Sequence, residues 1–138
     1  MVLAGRLHPL LVHFPIVLML SAAAAEVAGM VTHRPIWQAM AVIQTRAGAL
    51  SGAGAVVAGW LLASAPDIDA SRLLEWHRWL AIAATGGALI AAAATFSTSR
   101  SASRRQLYRV LLFSSAASLG LAAHLGASLV WGAHFLHF

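Results

Sequence analysis

Seven histidines stand in a chain that is 60% hydrophobic and only 9% charged. Imidazole can donate or accept a hydrogen bond, carry a proton, or, when neutral, ligate haem iron and transition metals. In an apolar setting it is costly unless one of these roles supplies a partner. His13 lies inside the run LHPLLVHFPIVLML, residues 7–20; His77 lies in EWHRWL and His124 in LAAHLG. His8, His134 and His137 stand at or beyond the ends of apolar runs, and His33 follows one. There is no cysteine, so disulfides, thiolate ligands and haem attachment through C-x-x-C-H are excluded. No nucleophile paired with a base, no phosphate loop and no carboxylate pair suited to hydrolysis stands out, which disfavours an enzyme acting alone.

The elements that must position these imidazoles are membrane helices. A bilayer core about 30 Å thick needs about 20 mostly apolar residues per crossing, and the mean hydropathy is +0.79. Residues 10–31 are apolar apart from His13 and Glu26, 47–66 and 79–99 carry no charge, and 110–133 carry none beyond His124. These runs predict an all-α integral membrane four-helix up-down bundle, one domain over residues 1–138, with helices about 9–32, 37–63, 72–96 and 106–132. Pro9 suits a first helical position, Pro35 stops the first helix, and Asp69 or Ser71 can cap the third. The first run is read as a retained helix rather than a cleaved leader, because His8, Pro9, His13 and Pro15 break up its leading half. STSRSASRRQ reads as a polar, basic loop, and no internal repeat stands out.

The net charge of +5 comes from nine arginines and no lysine. On this topology Arg34, Arg100, Arg104, Arg105 and Arg109, with Arg46 near the boundary, fall on the side of the first and third loops. Arg6, Arg72 and Arg78 fall on the other side, offset by Asp67, Asp69 and Glu75. The positive-inside rule then makes both termini periplasmic, in a multi-pass protein of a bacterial inner membrane. Trp60, Trp76, Trp79 and Trp131 mark the periplasmic side, against Trp37 and Tyr108 on the cytoplasmic one.

Six of the seven histidines belong to the periplasmic half. At about 1.5 Å per residue, His13 is about 6 Å into the first helix, His77 about a turn and a half into the third, and His124 about 12–14 Å from the end of the fourth. Ionisable residues in spanning helices face the bundle interior and mark function by default. The expectation is non-covalent haem b, ligated by His13 and His77 from diagonal helices, with His124 beside it or substituting for either. Arg78 is placed to pair a propionate, and Trp131 borders the same layer. Each of these residues also has a plainer role: a histidine can hydrogen-bond a neighbouring carbonyl, and Arg78 can snorkel to phosphates. His8, His134 and His137 read as a helix-cap neighbour and a polar tail. Gly48, Gly52, Gly54, Gly59, Gly86, Gly87, Gly120, Gly126 and Gly132 allow close helix approach or room for a macrocycle. Glu26 and Arg46, at comparable depth on helices joined by a short loop, are expected to form a structural ion pair.

LHPLLVHFPIVL resembles the N-terminal signature of the domain-of-unknown-function 2231 family of predicted bacterial membrane proteins. HLGASLVW resembles that family's last-helix motif, with Ala127 where the family tends to have Gly and Trp131 where it tends to have Tyr. The resemblance covers essentially the whole chain, and the family's motif histidines correspond to His8, His13, His77 and His124. The family's frequent association with c-type cytochromes implies a place in periplasmic electron transfer. Three functions are carried forward: a b-type cytochrome serving a periplasmic or membrane redox partner, a cofactor-free anchor or assembly subunit of a respiratory complex, and a copper or zinc site on the same imidazoles. Membrane lipid, a c-type cytochrome or respiratory subunits are the expected partners, with a homo-oligomer open and nucleic acid not expected.

Overall fold

The computed structural model describes residues 5–66, 68, 70–96 and 101–132. Asp67, Asp69, Arg100, His134 and His137 lie outside the described residues. Those described are helical with short connections and no strand: α1 (His8–Leu11), α2 (His13–Thr32), α3 (Pro35–Ala63), α4 (Arg72–Ala94) and α5 (Ala102–Trp131).

Prolines set the first three boundaries. Pro15 has no N–H to offer the Leu11 carbonyl, and its ring crowds that carbonyl. The ladder breaks at Val12, between α1 and α2. α2 ends where His33 turns left-handed, at φ 57°, with its N–H donating to the Gly29 carbonyl. Arg34 is extended, as a residue before proline must be, and Pro35 opens α3 two residues earlier than predicted. Ser71 caps α4, its Oγ accepting from the Leu74 N–H at 3.1 Å. Ser101 caps α5 by accepting from Arg104, so the helix takes up the end of the basic segment that the sequence predicts as loop.

The helices pack as a ring: α2 on α3, α3 on α4, α4 on α5, and α5 back on α2. Small side chains line the inside. Ala22, Ala41, Ala49, Ala84, Ala88, Ala91 and Ala116 are buried, and Met19, Glu26, Thr45 and Leu112 are the largest fully buried side chains. The bulky apolar residues, among them Leu10, Phe14, Val17, Leu50, Val57, Ile90 and Val130, face outward. A water-soluble bundle would invert this arrangement. In lipid the helices instead associate through close van der Waals contact between small residues. Three helical stretches, His8–Thr32, Pro35–Ala63 and Ala102–Trp131, are long and apolar enough to cross a membrane. α4 carries Arg72, Glu75, His77 and Arg78 in its first turns, which leaves about 24 Å of uncharged helix at the usual rise.

Candidate functional site

Two imidazoles meet at the end of the bundle where α1 and α4 begin. His8, on α1, is half-buried, and its Nδ1 donates to the Ala55 carbonyl of α3 at 2.9 Å. His77, on α4, is half-buried too, and its Nδ1 donates to the Ala122 carbonyl of α5, also at 2.9 Å. A carbonyl oxygen only accepts, so each ring carries its proton on Nδ1. In the neutral ring this leaves the Nε2 lone pair available. The ring centroids are 6.2 Å apart with planes at 81°.

Each ring rests on a glycine one helical turn beyond its carbonyl. A Cβ on Gly59 would stand 2.7 Å from Cε1 of His8, and one on Gly126 would stand 3.0 Å from Cε1 of His77. A side chain at Gly59 would force the His8 ring to shift, and one at Gly126 would need the His77 ring to give by a few tenths of an ångström. The rings meet edge to face, in a T-shaped contact. Two imidazoles bonded to one ion through Nε2 at about 2.0–2.1 Å each have ring centres roughly 6 Å apart. Among the described residues no third histidine, acid or cysteine joins them in a metal-binding group.

The other predicted site residues lie elsewhere. His13 is on the exposed face of α2, since five residues after His8 is about 140° further round the helix. His124 is on the exposed face of α5, and its backbone carbonyl accepts from Ser128 Oγ at 3.0 Å. Trp131 is 75% exposed at the end of α5. Arg78 is half-buried beside His77 in sequence, and its guanidinium stacks on the Trp60 ring at 3.8 Å. That stacking forms one wall of a cleft also lined by Leu74, Glu75 and Trp79.

The ion pair expected between Glu26 and Arg46 is not the one formed. Glu26, 2% exposed, accepts from Arg109 Nε at 2.8 Å and lies 3.5 Å from an Arg105 nitrogen. Ring closure is the reason: α5 packs against α2 and brings Arg109 to the carboxylate. Arg46 turns the other way, donating to Thr95 Oγ1 at 2.8 Å and to the Thr95 carbonyl at 3.0 Å. It also lies over the Phe96 ring at 3.8 Å. Nearby, Thr45 donates to the Ala41 carbonyl at 2.7 Å and accepts from the Tyr108 hydroxyl at 3.1 Å.

Reading the residues alone left His8 as a helix-cap neighbour, although the family resemblance included it, and it gave Gly59 and Gly126 close helix approach or room for a macrocycle without linking either to a histidine. The available signal was the repeated A-x-x-x-G at Ala55 and Ala122, on the two helices that follow the two histidine-bearing ones. The family model described as predicted membrane protein, DUF2231, matches residues 5–136, and the chain belongs to that family. No curated protein and no solved structure matches it.

Proposed function

We propose that this member of the DUF2231 family is a membrane b-type cytochrome, an electron-transfer protein that holds haem b between His8 and His77. The observation that carries this reading is the pair of half-buried imidazoles on separate helices, each fixed through Nδ1 and centred 6.2 Å apart. A zinc or copper(II) site uses three or four protein ligands. An iron whose remaining positions come from a macrocycle needs only two, and the donor set fits it. His8 thus replaces His13 as the proposed partner of His77. His8 and His77 would hold the haem, which would supply one-electron transfer.

The chain's own residues hold and orient. The Ala55 and Ala122 carbonyls set the tautomer and angle of each ring, as hydrogen-bond partners of ligating histidines do. The alanine-lined bundle excludes water below them. Arg78, steadied on Trp60, offers a guanidinium to a propionate. All four helices are proposed to cross a bacterial inner membrane, with both termini and the histidine pair on the periplasmic side and a c-type cytochrome or respiratory subunit as partner. The arginines at the far end, Arg34, Arg104, Arg105 and Arg109, support that orientation.

Protein purified from haem-replete cells should show a low-spin Soret band. His8→Ala and His77→Ala should abolish it, while His13→Ala and His124→Ala should leave it. Absence of the band, or its loss only in the His13 variant, rejects the assignment. Reporter fusions after residue 132 that are active only in the cytoplasm would reject the orientation. A second reading, a cofactor-free anchor, is favoured by the same two hydrogen bonds taken as interhelical struts. Under it both histidine variants lose thermal stability, and wild-type protein carries no chromophore.

A further inference from the structure

We infer that the chain is two copies of one helical hairpin in tandem, and that a group held between His8 and His77 lies on the two-fold axis relating them, bound by equivalent half-sites. The burial pattern is the first argument. When α3 is slid onto α5 so that Ala55 overlies Ala122, the buried Ala41, Thr45, Gly48, Ala49 and Gly52 fall on the buried Tyr108, Leu112, Ser115, Ala116 and Leu119, and only the buried Ala58 falls on a half-buried residue, Leu125. When α1 and α2 are slid onto α4 so that His8 overlies His77, the buried Pro15, Met19 and Ala22 fall on the buried Ala84, Ala88 and Ala91. Few of the paired residues are identical, which is why no repeat shows in the sequence.

The histidine contacts obey the same operation. Within each hairpin the histidine donates Nδ1 to an alanine carbonyl of the partner helix and rests on the glycine four residues later: His8, Ala55 and Gly59 in one, His77, Ala122 and Gly126 in the other. At the opposite end Glu26 overlies Thr95, and each takes an arginine from the other hairpin, Arg109 and Arg46 respectively; these two arginines are not equivalent, since Arg46 overlies Phe113 and Arg109 overlies Val42. The first and third helices start at the same end, so the repeats are parallel and their axis runs along the bundle, as parallel repeats do in other membrane proteins. Only the two imidazoles approach each other across that axis among the histidines described. A group bound there meets the same donor, in the same tautomer, from both sides. An arrangement with one ligand and one distal base is thereby disfavoured.

That the bound group is haem rests on the electron-transfer reading, whereas the equivalence of the half-sites does not. Two measurements on the full-length protein in detergent separate them. In the cofactor-free protein labelled with 15N-histidine, with signals assigned through His8→Gln and His77→Gln, both rings should be Nδ1–H tautomers. Gly59→Ala should shift the His8 signal most, and Gly126→Ala the His77 signal. An Nε2–H tautomer at either ring overturns the equivalence. In protein titrated with haemin, His8→Ala and His77→Ala should each convert six-coordinate to five-coordinate iron, with haemin dissociation constants within about threefold of one another. A difference of about tenfold or more overturns it. If wild-type protein takes no haemin while both tautomers are as stated, the haem reading fails and the equivalence stands.

Discussion

Replacing Glu26 with glutamine removes the charge from a carboxylate that is 2% exposed and bonded to Arg109 at 2.8 Å. Opposite unit charges about 4 Å apart attract by about 4 kcal/mol at an effective dielectric near 20. Desolvation of both groups offsets much of that. Arg109 keeps 24% of its side-chain surface exposed and Arg105 keeps 44%, so both can recover some solvation when the acid is gone. We therefore expect Glu26→Gln to cost about 2–3 kcal/mol, somewhat below the range for breaking a fully buried pair. In a double-mutant cycle Glu26→Gln and Arg109→Gln should couple by about 1–2 kcal/mol. Glu26→Gln and Arg46→Gln should be additive within about 0.5 kcal/mol. Reversible unfolding in mixed micelles of a mild detergent and dodecyl sulfate gives the four free energies of each cycle. Coupling to Arg46 as large as that to Arg109 would refute the ring-closure argument, because it would mean that the acid pairs within its own hairpin.

Three further outcomes follow from packing and capping. Met19→Ala should lower stability by about 3 kcal/mol in the same assay, since the side chain is fully buried among alanines and Leu112. Ser71→Ala, which removes the acceptor for the Leu74 N–H, should cost about 1 kcal/mol, and Ser71→Asp should restore it. Tyr108→Phe should cost about 1 kcal/mol, with no larger penalty from Thr45, whose hydroxyl keeps its bond to the Ala41 carbonyl; hydrogen exchange of the α3 amides should remain protected.

Helix existence was legible because apolar runs and prolines are local signals. Pro35 and Ser71 act on the residues beside them, and no distant contact changes that. Counting along each helix also puts His8 and His77 at one end of the bundle, where their rings meet. Rotation about the helix axis was not legible. In lipid the bulky residues face outward and small ones inward, so neither face of α2 announces itself, and His13 could be read as inward when it is His8 that faces His77. The partner of Glu26 escaped for a different reason. Arg46 is near in sequence, but Arg109 is near in space because the last helix closes the ring. The two-hairpin correspondence lay in burial rather than in residue identity, so Thr45 over Leu112 or Met19 over Ala88 gave nothing to align.

The interruption at Val12 gives the two imidazoles unlike backbone supports behind like side-chain contacts. His77 rides on α4, a continuous helix through Ala94, and is an anvil. His8 rides on a four-residue segment whose ladder lacks the bond that Pro15 cannot donate, although Val12 still donates to His8 and Ile16 to Val12, and its ring is held by the bond to Ala55. A prolyl break of this kind lets a short segment tilt without dragging the long one. The weaker backbone support for the ring pair is therefore on the first helix, and the stiffer one on α4.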